Sequence, residues 1–303
     1  MENKIHPDIK VKFDKFDVSL IKKVDLCDLV DNDSDYKTCL KPSDGFVLYN
    51  LFSKTECSRI IETTDKIGYE QLIGYNLYTR NNDRIKCKST TIINEIEKRI
   101  LHVNDNAQSL ACGISPQSLL INSDSTTLSA GSFHHGKWNY SHLNPILRLC
   151  KYNPSNKFDK HCDSGYNPNP LNERTFKTCM VYLNDDYDDG TTRFYGLNPK
   201  KPFNNNIATI FLKLKATPGM CLIFNQNILH DGETVNNGCK YMMRTDMIYK
   251  AHKLDNEFSE EEKEGIKIYG EGIKVEKAGK FIEAVKLYEK ATDLCHDAYL
   301  MYY

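Results

Sequence analysis

The chain has 303 residues, and its forty basic and forty-one acidic side chains leave a formal charge of −1. That balance excludes a dedicated nucleic-acid neutraliser, which carries a basic excess, though not a locally basic groove. Hydrophobic residues at 40% and charged residues at 27% suit an ordinary folded chain, and no apolar run approaches the roughly 20 residues of a membrane span. The best candidate, Ile207 to Leu214, is short and broken by Lys213.

Met1 to Lys12 carries charges with no apolar stretch behind them, so no secretory signal is expected. Residues 1–43 show no sustained period and read as a variable lead-in. Phe46 to Tyr49 reads as a strand ending at Asn50. Ser53 then opens a helix, with Glu56 completing a capping box and Ile60, Ile61 and Ile67 on its apolar side. A second helix is predicted over Thr91 to Val103, where Ile92, Ile93, Ile96 and Ile100 recur at helical spacing.

From Ser118 the texture changes to short β-prone runs between Asn, Asp, Gly and Pro clusters. The runs are Ser118–Asn122, Ile146–Tyr152, Thr175–Leu183, Thr192–Tyr195, Ile207–Leu214, Met220–Phe224, Ile228–Val235 and Cys239–Tyr249. Such a series predicts a mainly β jelly roll. Asn236-Asn237-Gly238 predicts a hairpin joining the last two runs. Beyond Tyr249 the pattern turns helical. Ser259 and Glu262 form a second capping box. Gly272, Gly279-Lys280-Phe281, Ala284, Tyr288, Ala291 and Leu294 are then spaced as in one tetratricopeptide repeat, with His296 at the place of its terminal proline. A lone repeat cannot bury its own face, so this helical hairpin either docks on the main domain, continues into further repeats, or is an ordinary amphipathic pair; a protein partner is one expectation.

The chemistry concentrates between Tyr152 and Asp163. In an extended chain residues two apart share a face, so His161 and Asp163 can offer an imidazole and a carboxylate to one metal. A distant histidine would complete the two-histidine, one-carboxylate set of non-haem Fe(II) oxygenases. His230, between the strand ending at Phe224 and Asp231-Gly232-Glu233, is the candidate. Taken alone it is an ordinary satisfied or exposed histidine, and an HxD pair alone is weak. With a three-residue hairpin loop at Asn236–Gly238, His230 falls opposite Arg244, and Lys240, Met242 and Arg244 share its face. Two cations aimed at a metal are costly without an anion. A dicarboxylate such as 2-oxoglutarate would satisfy them, chelating iron through its keto acid and presenting its far carboxylate to a cation. A slip of one residue would instead send both cations to water.

These residues resemble the 2-oxoglutarate/Fe(II) dioxygenases of the prolyl 4-hydroxylase type. The family's Tyr-x-Pro-Gly-x-x-Phe-x-x-His-x-Asp stands here as Tyr152 to Asp163. Its Tyr-Leu-Asn and Gly-Gly-x-Thr-x-Phe stand as Tyr182-Leu-Asn184 and Asp189-Gly190-Thr-Thr192-Arg-Phe194. Its Pro-Gly strand stands as Pro218-Gly219 to Phe224, and its distal histidine with a basic residue ten positions on stands as His230 and Lys240. Two departures fall in turns: Ser155 and Asp189 each replace a glycine. The resemblance implies a double-stranded β-helix core, Fe(II) on His161, Asp163 and His230, Lys240 anchoring 2-oxoglutarate, and Tyr152, Tyr182 and Thr192 lining it, with Arg244 assisting the cosubstrate or meeting substrate. It implies O₂ as second cosubstrate, ascorbate as a candidate reductant, and hydroxylation of a prolyl or other side chain of a protein or peptide, with release of succinate and CO₂.

The expected organisation is a lead-in over 1–43, a dioxygenase domain over 44–250 with its β core at about 118–249, and a helical hairpin over 258–303. The rival readings are an inactive oxygenase-fold scaffold that recruits a protein partner, and an oxygenase acting on nucleic acid or a small molecule. Eleven cysteines, none spaced CxxC, read as reduced thiols in the cytoplasm or nucleus. His134 and His135, adjacent on an extended chain, face opposite ways. Arg80 and Arg84 read as a solvated basic loop, or as a substrate-side one.

Overall fold

A computed structural model of the chain describes residues 5–105, 138–166, 173–198, 200, 207–251, 259–295 and 298. The expected strand at Ser118–Asn122 and the pair His134-His135 lie outside the described residues. The strands are β1 (Ile5–His6), β2 (Lys22–Asp25), β3 (Gly45–Tyr49), β4 (Glu70–Gln71), β5 (Asp83–Lys88), β6 (Trp138–Leu143), β7 (Ile146–Tyr152), β8 (Phe158–His161) and β9 (Glu173–Tyr182). They continue as β10 (Tyr187–Asp189), β11 (Thr192–Gly196), β12 (Thr209–Leu214), β13 (Cys221–Asn225), β14 (His230–Gly232), β15 (Val235–Gly238) and β16 (Lys240–Ala251). Helices α1 (Lys54–Ile67) and α2 (Thr90–Asp105) precede most of the strands, and α3 (Glu260–Lys277) and α4 (Phe281–Leu294) follow them.

Contacts divide the chain into two compact units. The first is Met1–Ser115, Ser141–Asp163 and Phe176–Ile248; the second is Pro116–Tyr140, Ser164–Thr175 and Tyr249–Tyr303. In the first, a large sheet has the order β1-β5-β7-β16-β9-β13-β3-β2, and a four-stranded sheet has the order β12-β11-β14-β8. Their inner faces form one core: Val47, Tyr182, Leu222 and Phe224 of the large sheet pack with Phe194, Leu212 and Leu214 of the small one. The Phe194 and Phe224 rings meet edge to face at 5.4 Å. Two packed sheets of mainly antiparallel strands are the double-stranded β-helix the sequence predicts. Leu26, Val30 and Leu40 of the lead-in belong to the same core.

Helix α1 starts where its box predicts: Ser53 accepts from the Glu56 amide, and Glu56 accepts from the Ser53 amide. Ile60 is buried, but Ile67 is 40% exposed, because the helix stops there at Gly68 and its last turn leaves the core. On α2, Ile92, Ile93, Ile96 and Ile100 are all buried. The same face carries Arg99, 2% exposed, whose guanidinium donates to both oxygens of Glu56 at 2.7 and 2.9 Å and to the Leu51 carbonyl at 2.7 Å.

In the second unit α3 and α4 pack as a hairpin. Gly272 lets them close: a Cβ there would lie 2.6 Å from the Tyr288 ring. Ile266, Ile268, Ala291 and Cys295 form its core.

The expected hairpin at Asn236-Asn237-Gly238 is not formed. β14 pairs with β11 and β8 in the small sheet, whereas β16 pairs with β7 and β9 in the large one. Between them Val235–Gly238 pairs with β10. Gly238, at φ +75°, turns the chain from one sheet to the other instead of folding it back on itself. The row that puts His230 opposite Arg244 therefore does not exist; His230 stands opposite His161 and Phe194.

Candidate metal centre and cosubstrate cavity

β8 and β14 run antiparallel with His161 and His230 in register, and cross-strand partners project from the same face. Their ring centroids are 4.3 Å apart. Asp163 follows β8 by two residues, its amide held by the Gln226 carbonyl at 2.8 Å. One ligand atom from each of His161, Asp163 and His230 lies within 4.8 Å of the others.

The imidazoles are oriented for a metal. His161 Nδ1 is 2.7 Å from the Asp159 carbonyl, and His230 Nδ1 is 2.8 Å from the Ile228 carbonyl. A carbonyl only accepts, so each Nδ1 carries a proton and each ring turns its Nε2 toward the other donors. Both Nε2 atoms face Asp163, at 3.5 Å from Oδ1 for His161 and 3.7 Å from Oδ2 for His230. Burial pushes His230 down to about 4, so it is neutral near pH 7 and available as a ligand.

Asp163 is the charged member. Burial alone would raise its pKa, but Arg244, the two histidines and Thr178 outweigh that and hold it well below the carboxylate range. Arg244 lies 3.0 Å from Oδ1, and Thr178 donates to Oδ2 at 2.5 Å. Arg244 is itself held by Asp246 at 3.1 Å. The donor set fits Fe(II): two imidazoles and one ionised carboxylate, each fixed from behind. Thr178 and Asp246 were missed as site residues. Alternation could have found both, since Thr178 and Met180 alternate with Tyr182 on β9, and Asp246 follows Lys240, Met242 and Arg244 on β16.

Lys240 faces the same cavity from the large sheet. It is 2% exposed, and its ammonium donates to the Gly190 carbonyl at 2.6 Å. The Tyr152 and Tyr182 rings flank it at 5.5 and 5.3 Å. Tyr182 shares a hydrogen bond of 2.6 Å with Thr192, itself buried. No carboxylate pairs with Lys240 among the described residues, and burial pushes its pKa down to about 8. Lys240, Tyr152 and Thr192 line one cavity with His161, Asp163 and His230. Lys240 and Arg244 both face inward, as expected, although the register that led there is wrong.

Arg80 and Arg84 do not form a solvated loop. Arg84 lies in β5, Arg80 bridges to Phe158, and the two are only 6% and 7% exposed. Arg84 is covered beside β7 of the large sheet, and Arg80 lies over Phe158 of the small one.

Residues 147–245 match the model of the 2OG-Fe(II) oxygenase superfamily. No curated protein matches the chain. Among solved structures, the chain is similar to a viral collagen prolyl hydroxylase from Paramecium Bursaria Chlorella virus-1, at 18% identity and TM-score 0.41 over 76% of this chain and 95% of that one. It is similar to a Trichoplax adhaerens prolyl hydroxylase in complex with a hypoxia inducible factor peptide fragment, at 13% identity and TM-score 0.43 over 73% and 88%. A Pseudomonas putida prolyl-4-hydroxylase follows at 12% identity and TM-score 0.38 over 64% and 82%. Scores this low do not carry the assignment, which rests on the family model and the donor set. The matched stretch contains His161, Asp163, His230, Lys240 and Arg244, so residues 147–245 form a 2OG-Fe(II) oxygenase domain, with the donors that Fe(II)- and 2-oxoglutarate-dependent chemistry requires.

Proposed function

We propose that the chain hydroxylates a prolyl or other side chain of a protein or peptide. Fe(II) would be held by His161, Asp163 and His230, and 2-oxoglutarate by Lys240, with Tyr152, Tyr182 and Thr192 shaping its pocket. The bound metal supplies the activation of O₂ that drives oxidative decarboxylation of 2-oxoglutarate to succinate and CO₂ and hydroxylation of substrate. The protein's residues orient the donors, neutralise the far carboxylate and exclude water. Arg244, in contact with Asp163, is assigned to holding that ligand, not to the far end of the cosubstrate.

The carrying observation is the buried Lys240 ammonium, without a carboxylate partner among the described residues, in the cavity of the metal donors. An uncompensated buried cation is costly, and the far carboxylate of 2-oxoglutarate supplies the missing charge. The protein substrate rests on the motif run from Tyr152 to Asp163. The ten described cysteines form no disulfide with one another, which supports a cytoplasmic or nuclear site of action. No helix among the described residues is long and apolar enough to cross a membrane.

The test is mass spectrometry of proline-containing peptides incubated with the protein, Fe(II), ascorbate and 2-oxoglutarate. A gain of one oxygen on a peptide, with matching succinate, is expected. His161→Ala, Asp163→Ala and His230→Ala should each remove 2-oxoglutarate turnover; wild-type turnover in any of them would overturn the metal assignment.

A further inference from the structure

Arg80 and Arg84 are buried cations that the oxygenase chemistry does not use. Arg84 stands opposite Cys150 on β7, and Cys150 stands opposite Met242 on β16. Cys150 and Met242 line the metal cavity, and cross-strand partners share a face, so Arg84 belongs to the cavity face of the large sheet. Arg80 lines the cavity itself. Its guanidinium lies 4.1 Å over the Phe158 ring, and Phe158 stacks on His161 at 3.5 Å. One aromatic ring therefore separates Arg80 from a metal ligand.

Both guanidiniums also lie near Tyr75, each 5.3 Å from its ring centroid, and Tyr75 is 45% exposed. The Nε of Arg84 is buried without a hydrogen-bond partner among the described residues. Arg80 donates from Nε to Asn82 at 2.9 Å. Neither arginine has a carboxylate partner among the described residues. Buried guanidiniums held by neutral groups alone are poorly compensated. The other arginines on this face differ: Arg148 and Arg244 both pair with Asp246.

We propose that Arg80 and Arg84, both beside Tyr75, form the substrate-side anion site, which takes the carboxylate of an acidic residue near the hydroxylated position of a peptide. Two planar guanidiniums converging on one ring suit a single planar carboxylate, which they can hold through charge-assisted hydrogen bonds. A single-stranded nucleic acid instead needs a cationic track along its backbone, and the track stops here because Arg148 and Arg244 are already paired. The site deepens the protein-hydroxylase reading and rests on it.

The test uses the full chain loaded with Mn(II) and 2-oxoglutarate, and fluorescent proline-containing peptides read by polarisation. Glu is placed in turn at each position within four residues of the proline, with Gln and Lys versions as controls. At least one Glu peptide should bind about tenfold tighter than its Gln counterpart, the equivalent of ~1.4 kcal/mol. Arg80→Gln and Arg84→Gln should each shrink that ratio, and Arg80→Lys should restore part of it. Equal binding of the Glu and Gln peptides, or no binding by any Glu peptide, overturns the site, and both arms need only the wild-type protein. A Glu preference undiminished in both Gln variants also overturns it. So does a single-stranded oligonucleotide that outcompetes every peptide in the wild type and fails to do so in the variants, since the arginines then serve phosphates. The hydroxylase reading fails separately: it is lost when no peptide gains oxygen under Fe(II), whatever the charge preference.

Discussion

Ser155 and Asp189 occupy two turns where the resembled family has glycine, and both adopt left-handed backbone, at φ 69° and 60°. The turns have kept a glycine geometry without the glycine, a conformation costing an L-residue roughly 1–2 kcal/mol. Asp189 is helped by Asn236, which donates to its carboxylate; Ser155 has its amide on the Val235 carbonyl. Ser155→Gly should leave stability unchanged or raise it by up to ~1 kcal/mol, the relieved strain being partly offset by a freer unfolded chain. Ser155→Val should lower it by ~2 kcal/mol or more, because a β-branched residue tolerates this region worst. Urea unfolding of the two variants checks the pair. Gly219 shows the stricter case: at φ +77°, a Cβ would lie 1.9 Å from the Phe52 carbonyl oxygen. No side chain is admissible there, and the Phe52 and Tyr182 backbones that bond Gly219 are pinned with it.

At the scale of elements, one buried ion pair ties the helices. Arg99 of α2 and Glu56 of α1 are each 2% exposed, and Glu56 also receives the Ser53 and Asp14 amides. Burial would raise the Glu56 pKa, but the arginine and the amides together hold it below its ordinary value of 4.5. A depressed carboxylate stabilises the fold above its unfolded pKa, and that stability fades as pH falls through the folded value. Arg99→Leu strands a buried carboxylate and should cost ~3–5 kcal/mol near neutral pH. The deficit should narrow as pH falls, because the stranded carboxylate protonates in the variant and the wild type loses the pair's contribution below 4.5; denaturant melts at pH 7 and pH 4 read it. Neither this pair nor the sheet register was legible in the sequence, although much else was. Both capping boxes, α2 and β7 follow from local spacing, because capping and periodicity are decided within a few residues. The hairpin at Asn236–Gly238 failed because a turn signal states that the chain bends, not which sheet receives it; β10 and β11, distant in sequence, compete for Val235 and His230 and win. Arg80 and Arg84 were read as solvated because charge alone decides that reading, while their burial depends on β7 and Phe158. The metal donors survived the wrong register because two of them are fixed locally by the HxD spacing.

Across the molecule, the site joins the two sheets. His161 and His230 come from the small sheet, while Lys240, Arg244 and Thr178 come from the large one. A 2-oxoglutarate chelated to the metal and paired with Lys240 would therefore bridge the sheets, as Asp163 already does through Thr178 and Arg244. Ligands that bind only the folded state stabilise it in proportion to occupancy, and two ligands sharing one site must help each other reciprocally. Mn(II) and 2-oxoglutarate together should raise the melting temperature by more than the sum of their separate shifts. Lys240→Met should keep the Mn(II) shift and lose most of the 2-oxoglutarate increment, because the anchor is gone but the donors remain. pH supplies an independent check. Burial pushes Lys240 down to about 8 in the free protein, and the dicarboxylate needs the charged ammonium, so its affinity should fall as pH rises above 8, approaching tenfold per unit. Lys240→Arg, which stays charged throughout that range, should bind 2-oxoglutarate with a flat profile from pH 7 to 9.5. A profile that falls equally in both proteins would place the titrating group elsewhere and remove Lys240 as the anchor, while the metal donors would stand untouched.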